Sequence, residues 1–389
     1  MKKIAVVTPY VPPNIIKLYE ILQKEIEDEG NILKIFCVKH KPIHRNHDIP
    51  NYGNLNIDFY DGLNFYLPKS EIAIDFPKGM SKSLRDFMPD AVIYDGYGIG
   101  FIGPIFYGLL QKLFNKKVRL IFWNSNTAKN SGPLESSNRF DKKILSFFVR
   151  KLKIFLMKFF DFYAAGGTSM IDYLTDLNVN SSLITLVPRA TFTKEDITRI
   201  SELSMAKKDS NNINFIYCGE ISKRKGVDII INAVKNNEKL LNNNVIIKLY
   251  GNFKHSEELY FREKIANNQK VSYMGWLNPK DLMPQIANSD VLLMPSRREP
   301  FGRIAIEALA CGVFIIMADT VGSSADLNEN FLSKTFLNHN SEELYKLIEE
   351  SVLNIAEIRK QRELRINWVK ENWTHEVSAR GLMKTINFN

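Results

Sequence analysis

Twice along the chain, short unbroken apolar runs alternate with stretches of helical periodicity, and this double series limits the fold more than any other feature. The first series predicts strands at Ile4–Thr8, Ile32–Val38, Ala91–Asp95, Val118–Trp123 and Phe162–Gly166, with helices at Ile15–Glu29 and Met170–Leu177. The second begins at Ile213. It predicts strands at Ile213–Cys218, Val245–Tyr250, Val271–Met274, Val291–Met294 and Val313–Met317, and helices at Val227–Val234, Glu257–Ile265 and Arg303–Ala310. Runs that are apolar throughout, rather than at every second residue, suit strands covered on both faces. Strands that alternate with helices are joined by crossovers into a parallel sheet. At 389 residues the chain is too long for one ordinary domain. The expected fold is therefore α/β with two doubly wound, Rossmann-like domains, at 1–195 and 213–370. A polar linker at 196–212 separates them, and a helical tail at 371–389 is able to cross back to the first.

Composition narrows the class. The hydrophobic fraction of 45% and charged fraction of 24% are those of a globular protein. Cys37, Cys218 and Cys311 are scattered without metal or disulfide spacing, and they read as reduced core residues of a cytoplasmic protein. The start, MKKIAVVTPYVPP, reads as a first strand rather than a signal peptide, because prolines interrupt its apolar stretch. No apolar run is long enough to span a bilayer. The net charge of +9 is unevenly spread: seven basic residues and one acid fall between Arg139 and Lys158. On a helical wheel Ile144, Phe148, Leu152, Phe155 and Phe159 share an inward face. The outward face mixes the basic residues with Phe147, Ile154 and Met157. A face both basic and apolar suits an anionic membrane surface, so 139–160 is expected to hold the protein peripherally at the inner face of the cytoplasmic membrane.

The segment Ser289–Ala318 reads as one strand, helix, strand unit, with Pro295 ending the first strand and Gly302 and Gly312 bracketing the helix. Glu299 lies in its loop and Glu307 two turns into its helix. Ligands of open parallel sheets bind at this kind of junction, where helix N–H groups are free. Two carboxylates so placed can accept hydrogen bonds from vicinal sugar hydroxyls, although spacing alone leaves them equally readable as solvated helix-end charges.

The segment resembles the E-x7-E signature of the retaining family-4 glycosyltransferases, with Phe-Gly after the first acid and Glu-Ala-x-Ala-x-Gly at the second. The resemblance implies the GT-B fold. It also implies transfer of a sugar from a nucleotide-diphosphate donor with retention, without metal or other cofactor. Carried over residue by residue, it makes Glu299 and Lys225 the catalytic pair, Glu299 facing the donor sugar and Glu307 holding the ribose. Phe301, Gly302 and Arg303 then lie near sugar and phosphate, and Gly275 and Trp276 near the base. The run Gly219–Gly226 (GEISKRKG) resembles the phosphate loop G-R-x-x-x-x-K-G. Lys225 matches its lysine and Gly219 its first glycine, but Glu220 stands where an arginine is expected, leaving Lys223 or Arg224 to supply that charge. Val321-Gly322-Ser323-Ser324 stands where the family has a Gly-Gly turn.

Other motifs read more plainly. Gly98-Ile99-Gly100-Phe101-Ile102-Gly103 matches a dinucleotide fingerprint, yet no acid occurs between Asp95 and Glu135 to hold a ribose. His40, His44 and His47 sit among Lys39, Lys41 and Arg45, which would repel a metal ion. Nothing points to nucleic acid. Asn124 and Ser125 are placed to meet an acceptor or the sugar, and the acceptor is expected to be a saccharide, free or polyprenyl-linked, of bacterial surface-polysaccharide assembly. A nucleotide-sugar epimerase and a non-catalytic binding subunit are the alternatives.

Overall fold

A computed structural model describes residues 1–38, 51–66, 73–96, 108–112, 117–124, 150–151, 154–205, 212–235 and 244–386. The glycine-rich run at 98–103, the histidines at 40–47 and Ser125 lie outside these. The described chain divides into two compact units. One holds residues up to Ala190 and from His375 onward, the other Thr191–Thr374.

In the first unit β1 (Lys3–Thr8), β2 (Ile32–Cys37), β3 (Ile57–Phe59), β6 (Ala91–Asp95), β7 (Arg119–Asn124), β8 (Phe162–Ala165) and β9 (Ile184–Leu186) form a sheet in the order β3-β2-β1-β6-β7-β8-β9. All its pairings are parallel. A separate antiparallel hairpin, β4 (Gly62–Tyr66) with β5 (Ala73–Pro77), precedes β6. The period of two along β1 sorts its side chains onto two buried faces. Ile4 and Val6 pack with Leu18 and Leu22 of α1 (Pro13–Asp28) and with Leu382 and Ile386 near the chain end. Ala5 and Val7 pack on the other face with Leu84 of α2 (Met80–Phe87) and Leu174 of α3 (Thr168–Asp176). Each such fully buried aliphatic side chain contributes roughly 1.5–3 kcal/mol.

In the second unit β10 (Ile213–Cys218), β11 (Val245–Tyr250), β12 (Val271–Gly275), β13 (Val291–Met294), β14 (Phe314–Ala318) and β15 (Ser333–Phe336) form a sheet in the order β12-β11-β10-β13-β14-β15. All its pairings are parallel too. The strand order reverses between β10 and β13, where ligands of such sheets bind.

Two expectations are corrected. The stretch read as a linker begins as α4 (Lys194–Met205), which packs within the second unit. Its polar composition hid a capped helix: Thr193 Oγ1 accepts from the Asp196 amide at 3.0 Å, Asp196 Oδ2 accepts from the Thr193 amide at 2.9 Å, and Ile197 is fully buried. Residues 341–372 fold as three helices, α9 (Ser341–Leu353), α10 (Ile355–Lys360) and α11 (Arg362–Asn372), before α12 (His375–Ile386) joins the first unit. The second concerns the basic segment. Among its described residues Met157 and Phe160 are buried, while Phe155 is 56% exposed, the reverse of the wheel at Phe155 and Met157. Ile154, Met157 and Phe160 turn toward the core at a spacing of three, and Phe159 donates to Leu156 and Phe160 to Met157, so the inward face of the described residues is the one the wheel set outward.

Candidate active site

At the switch point of the second sheet two helices begin. α5 (Val227–Val234) starts behind Gly226, and α8 (Arg303–Ala310) behind Gly302; both glycines are left-handed, and neither helix has a side-chain N-cap. Their first-turn N–H groups are therefore left for other acceptors. Gly226 is dictated by its surroundings: φ is +76°, and a Cβ would lie 1.8 Å from the Pro295 carbonyl oxygen. That close approach brings the end of the phosphate-type loop against the end of β13.

Between these helix starts lies a cavity of about 170 Å³ lined by Tyr217, Lys225, Ser296, Glu299, Gly302 and Arg303, among others. The Lys225 ammonium forms an ion pair with Glu299 Oε2, with side chains 20% and 15% exposed. A second cavity, of about 450 Å³, adjoins it. Gly219, Glu220, Tyr250, Gly251, Asn252 and Trp276 are among its walls, and Cys218 and Ile304 line both cavities. The walls come from the ends of parallel strands: the Gly219 amide donates to Tyr250 O and the Gly251 amide to Gly275 O, each at 2.9 Å. At Gly251 a Cβ would lie 1.8 Å from Gly219 O. The strand ends are thus packed backbone to backbone beside the cavity.

The structure places the other expected residues as follows. Glu307 lines neither cavity; it lies half-buried in α8 beneath Cys218, and burial raises its carboxyl above the usual range against the opposing pull of Arg303. Burial, followed by the Glu307 charge, pushes the Cys218 thiol up. Burial and then the Glu299 carboxylate raise the Tyr217 phenol. Arg224 pairs with Glu220 at 3.4 Å, an exposed contact, so the acid in the arginine's place is met by an arginine four residues on. Lys223 instead lies over the Tyr260 ring at 4.5 Å. Trp276 is 59% exposed at the rim of the larger cavity, and Gly275 turns the chain there with φ +84°. Phe301 is buried away from both cavities. Asn124 ends β7 in the other unit, where it is buried.

Three residues outside the expected site set hold this site together. Arg297 binds Asp228 through both guanidinium nitrogens, each at 2.7 Å, and its amide donates to Arg224 O at 3.0 Å. It therefore locks the loop before α5 to the loop before α8. Gly322 gives its amide to Glu299 O at 3.0 Å, and a Cβ there would sit 1.9 Å from Pro300 O. Trp373 stacks on Phe301 at 5.5 Å and 22°, backing the loop from the core side. The glycine-turn position was a signal for Gly322; nothing local marked the other two. Farther down α8, the fully buried Arg365 donates to Gly312 O at 2.8 Å and to Phe331 O at 2.9 Å, fixing the end opposite the site.

Residues 201–370 match the family model described as glycosyl transferases group 1. An uncharacterized protein from the cps region of Klebsiella pneumoniae is 31% identical over 156 residues, 40% of this chain and 40% of its own. An uncharacterized glycosyltransferase of Methanocaldococcus jannaschii is 24% identical over 370 residues, 93% of this chain and 86% of its own. The chain thus spans well under half the length of the first of these curated relatives. Among solved structures, Anabaena HepE in complex with UDP matches with a TM-score of 0.68 at 15% identity over 99% of both chains, a likeness of fold. Two doubly wound parallel sheets with flanking helices make this the GT-B fold expected above.

Proposed function

We propose, from the premise that this chain belongs to the group 1 glycosyltransferases, that it moves a sugar from a nucleotide-diphosphate donor to a saccharide or polyprenyl-linked acceptor, with retention and without a metal ion. The observation that carries the proposal is the Lys225 and Glu299 pair in a cavity between two uncapped helix starts, next to a larger cavity able to take a nucleoside.

The chemistry has two requirements. The departing diphosphate gathers negative charge, which fixed donors in a partly buried site can stabilise. Lys225 and the first amides of α5 and α8 supply them, and Arg303 adds a cation at the cavity wall. The sugar ring develops positive character and has to be oriented; Glu299 accepts its hydroxyls, and Glu307 those of the ribose. The base lies toward Trp276 and the glycine turns, whose contacts are mostly backbone. The leaving phosphate itself receives the acceptor proton on the same face, which preserves the anomeric configuration. Bound UDP in the HepE structure is in keeping with a nucleotide-sugar donor here.

On the acceptor side the reading rests on Asn124 and Ser125, and on the membrane-directed segment 139–160. Among its described residues, exposed Arg150, Lys151 and Lys158 share the surface with exposed Phe155, a mixture suited to anionic headgroups at the cytoplasmic face. Among the described residues no helix is long and apolar enough to cross a membrane. The cps-region relative fits an acceptor of surface-polysaccharide assembly.

The test is transfer from labelled nucleotide sugars to lipid-linked saccharides, with the product anomer read by NMR. The expected product keeps the donor configuration, chelator leaves the rate intact, and Glu299→Gln lowers turnover by roughly 10²–10³-fold. An inverted product, or full turnover in the variant, contradicts the proposal.

A further inference from the structure

Three cations follow one another at 223–225, and each meets a partner within its own unit: Lys223 the Tyr260 ring, Arg224 the Glu220 carboxylate, Lys225 the Glu299 carboxylate. The last pair differs from the others in its setting. Arg224 and Glu220 are 48% and 40% exposed, a solvated contact of small consequence. Lys225 and Glu299 are mostly withdrawn from water, and both line the smaller cavity. Their backbones are also held. Glu299 is bridged to Val321 and bonded to Gly322, while Gly226, next to Lys225, abuts Pro295. The pair can therefore separate by side-chain rotation but not by retreat of either loop.

We propose that Glu299 is an exchangeable counter-anion of Lys225. A diphosphate takes the ammonium only by displacing the carboxylate, and the displaced carboxylate then accepts hydroxyl hydrogens from the sugar. This rests on the nucleotide-sugar reading above and adds to it a role in discrimination. A sugar-free nucleoside diphosphate must leave Glu299 without a partner in a partly buried cavity, which is costly. An intact donor brings hydroxyls that repay the displacement. Glu299 thereby disfavours the spent nucleotide relative to the donor, although both present a diphosphate to Lys225.

Calorimetry with UDP, GDP and ADP, and with the matching nucleotide sugars, on wild type, Glu299→Gln and Glu299→Ala tests the inference. Circular dichroism checks the fold of each variant. The nucleoside diphosphate is expected to bind about tenfold tighter to the variants, the order of one charge-assisted hydrogen bond, and the nucleotide sugar to gain less. Unchanged or weaker nucleoside diphosphate binding in both variants overturns the exchange. If wild type binds none of these nucleotides, the underlying donor reading fails instead, so the two failures are distinct. A Lys225→Gln protein is expected to weaken diphosphate binding; tightening there also overturns the inference.

Discussion

In the first sheet the residues that end β1 and β6 are turned on each other. Asp95, 6% exposed, accepts from Tyr19 OH at 2.8 Å and Thr8 Oγ1 at 3.2 Å and pairs with Arg189, whose guanidinium lies over Trp123 at 4.2 Å. In the second sheet the matching strand ends, after β10 and β13, frame two cavities instead. Both sites sit where the strand order reverses. Among the described residues, one is filled by a buried polar network of its own side chains; the other keeps helix amides, a lysine and carboxylates in positions that a ligand can share. The same architecture thus carries, among the described residues, a buried ionic network in one unit and cavity-lining charges in the other.

The sharpest way to break this contrast is to damage each edge separately. Asp95→Ala leaves a buried guanidinium without its carboxylate and should cost about 3 kcal/mol of stability. Urea unfolding measures this, and nucleotide affinity should stay unchanged, because the network belongs to the other unit. A smaller effect is expected of Gly322→Ala. Its methyl would meet Pro300 O and push the Glu299 loop, costing about 1–3 kcal/mol of stability; kcat should fall with it, because Glu299 moves with the loop. Smallest is the effect on stability of Glu307→Gln. Burial raises the Glu307 carboxyl in the folded state, so ionising it opposes folding. Wild type loses that share of stability as pH rises through the raised value. The variant should accordingly melt slightly higher at pH 7, and the difference should vanish below about pH 4, where the carboxyl is protonated folded and unfolded. Thermal melts across that range decide it.

Much of the site was legible where local rules suffice. Val291–Met294 and Arg303–Ala310 have the expected bounds because an unbroken apolar run is stopped by Pro295, and Gly302 and Gly312 punctuate the helix. Strand β15 and helix α7 (Pro279–Ala287) escaped notice. The first is short and half polar, and the second carries Pro284 inside, which argues locally against a helix although Asn278 caps it. Arg297 was illegible for another reason: its partner Asp228 is 69 residues away, and only the folded sheet brings them together. Trp373 likewise gains meaning only from the ring it covers. Glu220 looked like a defect in the phosphate loop, and sequence could not show that Arg224 meets it.

The central claim is that the open edge of the second sheet binds a nucleotide-diphosphate sugar through Lys225. Melting the wild-type and Lys225→Ala proteins with saturating UDP-, GDP- and ADP-sugars tests it directly, because a ligand that binds only the folded state raises its melting temperature. At least one nucleotide sugar is expected to stabilise wild type, and Lys225→Ala to lose most of that shift while keeping its unliganded melting temperature within a few degrees. An equal shift in both proteins, or none in wild type with any donor, would contradict it.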